Sequence, residues 1–112
     1  MSDVFKSVHG FVKKIPEGKV TTYGNISFYL GINNPRTVGW ALHANKDLKV
    51  PCHRVVNKDG LLAVGFAFGG WEVQREMLIR EGVTFINSKQ VDLKKHIWNY
   101  PKESSRRMPN KL

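Results

Sequence analysis

Thr22-Tyr23-Gly24-Asn25-Ile26-Ser27-Phe28-Tyr29-Leu30-Gly31 and, one short turn later, Asn34-Pro35-Arg36-Thr37-Val38-Gly39-Trp40-Ala41-Leu42-His43-Ala44-Asn45 are the stretches that decide the fold. Thr22 can cap a short helix over Tyr23–Leu30, and Gly31 ends it with a residue free to take positive φ. Asn34 can cap a following helix in which Pro35 suits the first position and Val38, Ala41 and Leu42 make one apolar face. Two helices joined by a three- or four-residue turn are the layout of a helix-turn-helix, whose second helix can lie in a DNA groove. Any small helical bundle offers such a pair, so spacing alone leaves packing and DNA docking both open.

Upstream, Val4, Phe5, Val8, Phe11, Val12 and Ile15 recur at helical spacing behind Ser2 or Asp3, and Pro16-Glu17-Gly18 ends the run. Downstream, Arg54–Leu62 reads as a hairpin closed by Asp59-Gly60, the shape of a wing beside the helix pair. The glycine-bearing loop Gly65–Gly70 leads into a helix with Val73, Met77 and Leu78 inward and Gly82 as its stop. Val83–Ile86 and Val91–Leu93 suit two short strands, although pattern does not separate strand from helix there, and His96-Ile97-Trp98 suits a closing apolar clamp. The expected class is α+β, mainly helical: a winged helix-turn-helix with a small β-hairpin wing.

The chain has 112 residues, room for one domain. Its 41% hydrophobic, 24% charged and 11% aromatic residues fit a globular core and argue against wholesale disorder or a disulfide scaffold. Eighteen Lys+Arg against nine Asp+Glu leave a formal charge of +9. Such a surface favours a polyanion, nucleic acid first, though it also serves simple solubility. The excess is uneven, +4 over residues 1–83 and +5 over residues 84–112. Residues 101–112 read as a basic, disordered tail behind a folded domain within 1–100. The single cysteine and four scattered histidines give no zinc-ligand spacing, so no metal is expected and a reducing, cytoplasmic setting is. No membrane span or signal peptide is visible.

Pro51-Cys52-His53-Arg54 sets a nucleophile, a base and a phosphate-seeking cation beside a rigid residue. A free thiol near pKa 8.5 needs a base or nearby positive charge to react at neutral pH. In an extended segment adjacent side chains diverge, so His53 needs a bridging water or a bend to reach the sulfur, and a carboxylate behind it would fix its tautomer. On residue type alone, a buried inert thiol and a structural histidine are the commoner readings.

Pro51-Cys52-His53-Arg54-Val55 resembles the active-site motif of the O6-alkylguanine-DNA alkyltransferases. The surrounding blocks stand in the same order: Gly18-Lys19-Val20-Thr21-Thr22-Tyr23-Gly24, Pro35–Leu42 with Asn45, Gly60, Gly69-Gly70 and Glu81-Gly82, covering residues 4–83. The resemblance implies a winged-helix domain, acting as a monomer, that binds the minor groove of double-stranded DNA and swings O6-alkylguanine out of the stack. It implies a catalytic set of Cys52 as acceptor, His53 as water-linked base, Glu81 as the carboxylate behind it and Asn45 as the hinge. It further implies DNA contacts from Tyr23, Arg36, Thr22, Thr37, Gly39 and Arg54: Arg36 fills the vacated space, Tyr23 pushes the phosphate, and small Gly39 and Ala44 allow close approach. The alkyl group passes irreversibly to sulfur, one turnover per molecule, with no cofactor. The familiar enzymes carry an additional N-terminal domain, and the loop over residues 64–70 is here about two residues longer than theirs. The ending Val91–Trp98 is similar to the alkyltransferase-like proteins, which bind alkylated DNA without repairing it and flag it for other factors, nucleotide-excision repair among them. Those relatives carry tryptophan or another residue where this chain keeps Cys52, so alkyl transfer is the expected activity and damage binding the alternative.

Overall fold

The computed structural model describes residues 3–63, 65, 66 and 68–99. The expectations for Ser2, for Val64 and Ala67 of the glycine-bearing loop, and for the tail fall outside them. Helix α1 (Asp3–Val12) buries Val8, Phe11 and Val12, with Ile15 buried just past its end. Val4 lies in its first turn and is exposed, whereas Phe5 beside it packs against the core. His9, also buried, donates from Nε2 to the Ala41 carbonyl at 2.7 Å and so ties α1 to the helix it packs on.

Strand β1 (Thr21–Thr22) runs straight into α2 (Tyr23–Leu30). Thr22 Oγ1 accepts from the Asn25 amide at 3.0 Å, satisfying one of the helix's free donors, and Gly31 at φ +69° closes the far end. Helix α3 (Pro35–His43) starts as its sequence dictates: Asn34 Oδ1 accepts from the Arg36 amide, Pro35 occupies the first turn, and Val38, Ala41 and Leu42 face inward. α1 and α2 both pack on α3.

The chain then makes a 3-10 turn, Cys52–Arg54, and enters β2 (Val55–Val56), which pairs in parallel with β1 in the register Thr21↔Val55 and Thr22↔Val56. This corrects the hairpin expected over Arg54–Leu62. Val55 faces the cluster of Val8, Phe11, Ile26 and Val38, while Val56 faces a second cluster of Val20, Leu62, Leu78 and Val91. A strand buried on both faces suits a parallel partner inside the fold better than an exposed wing. The reversal itself is present: Asn57 Oδ1 accepts from the Asp59 and Leu61 amides, both at 2.9 Å, and Gly60 sits at φ +86°, where a Cβ would stand 2.7 Å from the Val91 carbonyl. The antiparallel hairpin lies further on, β3 (Phe85–Asn87) with β4 (Gln90–Val91), and Leu61 bridges to its Gln90.

Helix α4 (Gly70–Arg80) buries Leu78 fully and packs Met77 half-buried on the core as expected, but Val73 is 39% exposed and Gln74 takes the other fully buried position. The amide of Gln74 accepts from Ala63 N–H at 2.9 Å and donates to the His53 and Val55 carbonyls, both at 3.2 Å, so a polar side chain fills a core position with its bonds made. Gly82 follows at φ +92°. After α5 (Leu93–His96), Ile97 bridges to Val20, and Trp98 N–H donates to the Val20 carbonyl while its ring stands 5.5 Å from Phe11. That is the closing clamp. The architecture is α+β and mainly helical, and among the described residues no helix is long and apolar enough to cross a membrane.

Candidate active site

The parallel register of β1 and β2 positions the site. One strand delivers Tyr23 immediately after Thr22, the other begins immediately after the Cys52–Arg54 turn, and their pairing sets Tyr23 and Cys52 on one pocket. The pocket is about 70 Å³, walled by Gly39, Leu42 and His43 of α3 and closed by Ala63, Phe66 and Phe68. Cys52 is 7% exposed, all but covered, yet its side chain lines this space.

Asn45 holds the sulfur. Its Nδ2 donates to the Asp47 carbonyl at 2.8 Å and toward Cys52 Sγ at 3.5 Å, while Oδ1 accepts from the Asp47 amide. The Leu42 carbonyl stands 4.0 Å from Sγ on the other side. Burial pushes the thiol from its ordinary 9.0 to about 11, although the Asn45 bond favours the thiolate and works against that rise. Tyr23 is pushed up as well, by burial and then by the neighbouring Cys52.

Behind the thiol lies an ionic cluster. The segment is a tight turn rather than extended, and it directs His53 to Glu81, with Nε2 2.7 Å from Oε2. Arg54 forks onto the same carboxylate, Nε to Oε1 at 3.0 Å and Nη2 to Oε2 at 2.8 Å, and Nη1 donates to the Ile15 carbonyl at 2.7 Å. The Gly18 amide donates to Oε1 at 3.2 Å. Burial alone would raise the Glu81 pKa, but the bonds from Arg54, His53 and Gly18 outweigh it and hold the carboxyl below its ordinary value. An ionised carboxylate only accepts, so His53 Nε2 carries a proton and Nδ1 is left with its lone pair. Burial dominates at His53, lowers its pKa despite Glu81, and keeps the ring neutral at pH 7.

Cys52, His53, Asn45 and Glu81 thus come together from the 3-10 turn, the end of α3 and the end of α4, and Tyr23 and Gly39 join them at the pocket. Arg36 is exposed on α3 in a neighbouring cleft, and Thr37, half-buried, serves the start of that helix by donating its backbone N–H to the Asn34 carbonyl. Two expected DNA contacts stand elsewhere. Thr22 is buried with its hydroxyl engaged in capping α2, and Arg54 is turned inward, its guanidinium spent on Glu81 and Ile15, because a half-buried carboxylate needs that counter-charge. Sequence reasoning missed Gln74, which anchors the backbone of the Cys52–Arg54 turn. It also missed His96, which accepts from the Thr84 amide at 3.0 Å and bonds the Gly18 carbonyl at 3.3 Å, steadying the turn that reaches Glu81. The one available signal was Gln74 standing four residues before Leu78 on the same helix face.

Residues 3–83 match the family described as the DNA-binding domain of 6-O-methylguanine DNA methyltransferase. Alkyltransferase-like protein 1 of Schizosaccharomyces pombe is 34% identical over 104 residues, 88% of this chain and 96% of that one. The methylated-DNA–protein-cysteine methyltransferase of Saccharolobus islandicus is 45% identical over 78 residues, 69% of this chain and 49% of that one. The crystal structure of S. pombe Atl1 with damaged DNA containing O6-carboxymethylguanine superposes with a TM-score of 0.77 at 33% identity, covering 88% of this chain and 96% of that one. By the match of its residues 3–83, this chain belongs to the 6-O-methylguanine DNA methyltransferase family.

Proposed function

We propose that the protein binds double-stranded DNA carrying O6-alkylguanine, takes the everted base into the pocket over Cys52 and accepts the alkyl group on that sulfur. The observation that carries this reading is the thiol lining a pocket, held by Asn45, with a hydrogen-bonded His53–Glu81 couple behind it. The pocket of the free protein is small, so the base enters as its aromatic wall of Phe66 and Phe68 gives way.

The chemistry is a displacement at carbon. The thiol proton passes through a bridging water to Nδ1 of His53, and the imidazolium formed is stabilised by Glu81. A sulfur–carbon bond forms as the bond from the alkyl carbon to O6 breaks, and guanine leaves with the electron pair and takes up a proton. The thioether has no leaving path, so each molecule reacts once. Entry of the base excludes water, which would raise the thiol further unless the histidine accepts its proton, so that transfer is the step the Glu81 charge serves.

The test is single-turnover incubation with a duplex bearing one O6-methylguanine, followed by digestion of the DNA. The reading predicts guanine restored in a one-to-one ratio to protein, with none restored by Cys52→Ala. The thiol at about 11, with no direct hydrogen bond from His53 among the described residues, favours a second reading. In it the protein binds the everted base and marks it for other repair factors, and the methylated base is recovered intact from a tight complex.

A further inference from the structure

Trp40 has no task in the site described above, yet it is the large aromatic that α3 turns outward, 56% exposed. The other two tryptophans are covered: Trp98 packs on Phe11, and Trp71 lies under the Lys89 ammonium at 4.7 Å. Among the described residues no hydrogen bond or ring contact engages the Trp40 indole. It stands four residues from Arg36, one helical turn away on the same face. With Tyr23, Pro35 and Gly39 these two side chains line a shallow, almost wholly apolar cleft of about 280 Å³. Tyr23 and Gly39 also line the Cys52 pocket, so cleft and pocket adjoin.

An apolar cleft edged by an arginine and opening beside the Cys52 pocket suits one occupant. The walls of the DNA minor groove are sugar faces, apolar in character, flanked by phosphates, and proteins that dock there combine apolar wedges with arginine. Resting on the DNA-binding reading above, we infer that Trp40 packs its indole against the deoxyribose faces beside the everted nucleotide, anchoring α3 in the groove independently of what the lesion is. Arg36 supplies the charge at this contact and Trp40 the buried apolar area.

The two contributions have different signatures. A phosphate or groove cation contributes through counterion release and steepens the salt dependence, whereas an apolar contact shifts affinity without changing that slope. Binding of Trp40→Ala, Trp40→Phe and Arg36→Ala is measured by anisotropy on a labelled duplex with and without O6-methylguanine, over a series of salt concentrations. Trp40→Ala is expected to weaken both duplexes about tenfold with the slope unchanged, and Trp40→Phe to restore most of the loss. Trp40 is exposed, so its variants retain the fold. DNA should quench a long-wavelength component of wild-type tryptophan emission that Trp40→Ala lacks. Wild-type binding with Trp40→Ala within about twofold of it, or emission insensitive to bound DNA, overturns the inference and leaves the proposed function standing. A wild-type protein that binds neither duplex overturns both.

Discussion

Glu81→Gln removes the charge on which the ionic cluster converges while keeping the side chain's shape. The carboxylate accepts from His53, from two guanidinium nitrogens of Arg54 and from the Gly18 amide, and the paired side chains are only 16% and 11% exposed at Arg54 and Glu81. Breaking a buried pair by removing one partner strands the other charge, at a cost of about 3–5 kcal/mol when burial is complete. This pair lies nearer the surface, and about 2–4 kcal/mol is the expected loss. For a domain of this size that lowers Tm by roughly 10–25 °C. Thermal unfolding at pH 7 followed by circular dichroism reads the effect directly. Because the native Glu81 pKa is held below its unfolded value, the difference between the two proteins is fully present above the ordinary carboxylate range. It closes as pH falls through the lowered native value. Adding Arg54→Met to Glu81→Gln removes the stranded cation and should recover part of the loss, giving a coupling that a double-mutant cycle isolates. A Glu81→Gln protein melting within about 3 °C of wild type would show that the cluster holds nothing together.

Three further outcomes are expected. Gln74→Leu leaves the Ala63 amide and the His53 and Val55 carbonyls without their partner, and urea unfolding should show a loss of about 3 kcal/mol; a neutral substitution would mean that the turn is fixed elsewhere. The free thiol, raised from 9.0 to about 11, should react slowly with iodoacetamide at pH 7 and follow a pH–rate curve with its midpoint near 11. By linkage, the stability it contributes is present below pH 9 and lost as pH rises through 11, and a midpoint near 8.5 would show the sulfur to be open to water. Asn45→Ala removes the bond that favours the thiolate, so the same curve should move to higher pH, and a shift downward would contradict the role given to that amide.

The helix-turn-helix was legible because its signals are local. Thr22, Gly31, Asn34 and Pro35 act within a few residues of where they stand, and a cap or a stop has one meaning in any fold. The stretch from Arg54 to Leu62 misled for the opposite reason. Two valines before a tight turn suit either a hairpin arm or a strand sandwiched between two core clusters, and the choice depends on Thr21 and Thr22, more than 30 residues away. Arg54 followed the same logic: an exposed-type residue in a basic protein reads as a DNA contact until Glu81 and Ile15 are seen to enclose it. Gln74 broke the hydrophobic periodicity of α4, because its amide replaces apolar packing with three backbone bonds that no pattern records. Cys52 and His53 were legible as a nucleophile and a base from residue type, Glu81 and Asn45 came from resemblance, and the fold adds the hydrogen bonds that join them and the covered state of the sulfur.

Peptide mass mapping after incubation with O6-methylguanine duplex tests alkyl acceptance most directly. One added methyl is expected on the peptide containing Cys52, in proportion to the lesion supplied, and none on any other peptide. Protein recovered at its unmodified mass from a stable complex with still-methylated DNA would contradict transfer and assign the pocket to damage recognition alone.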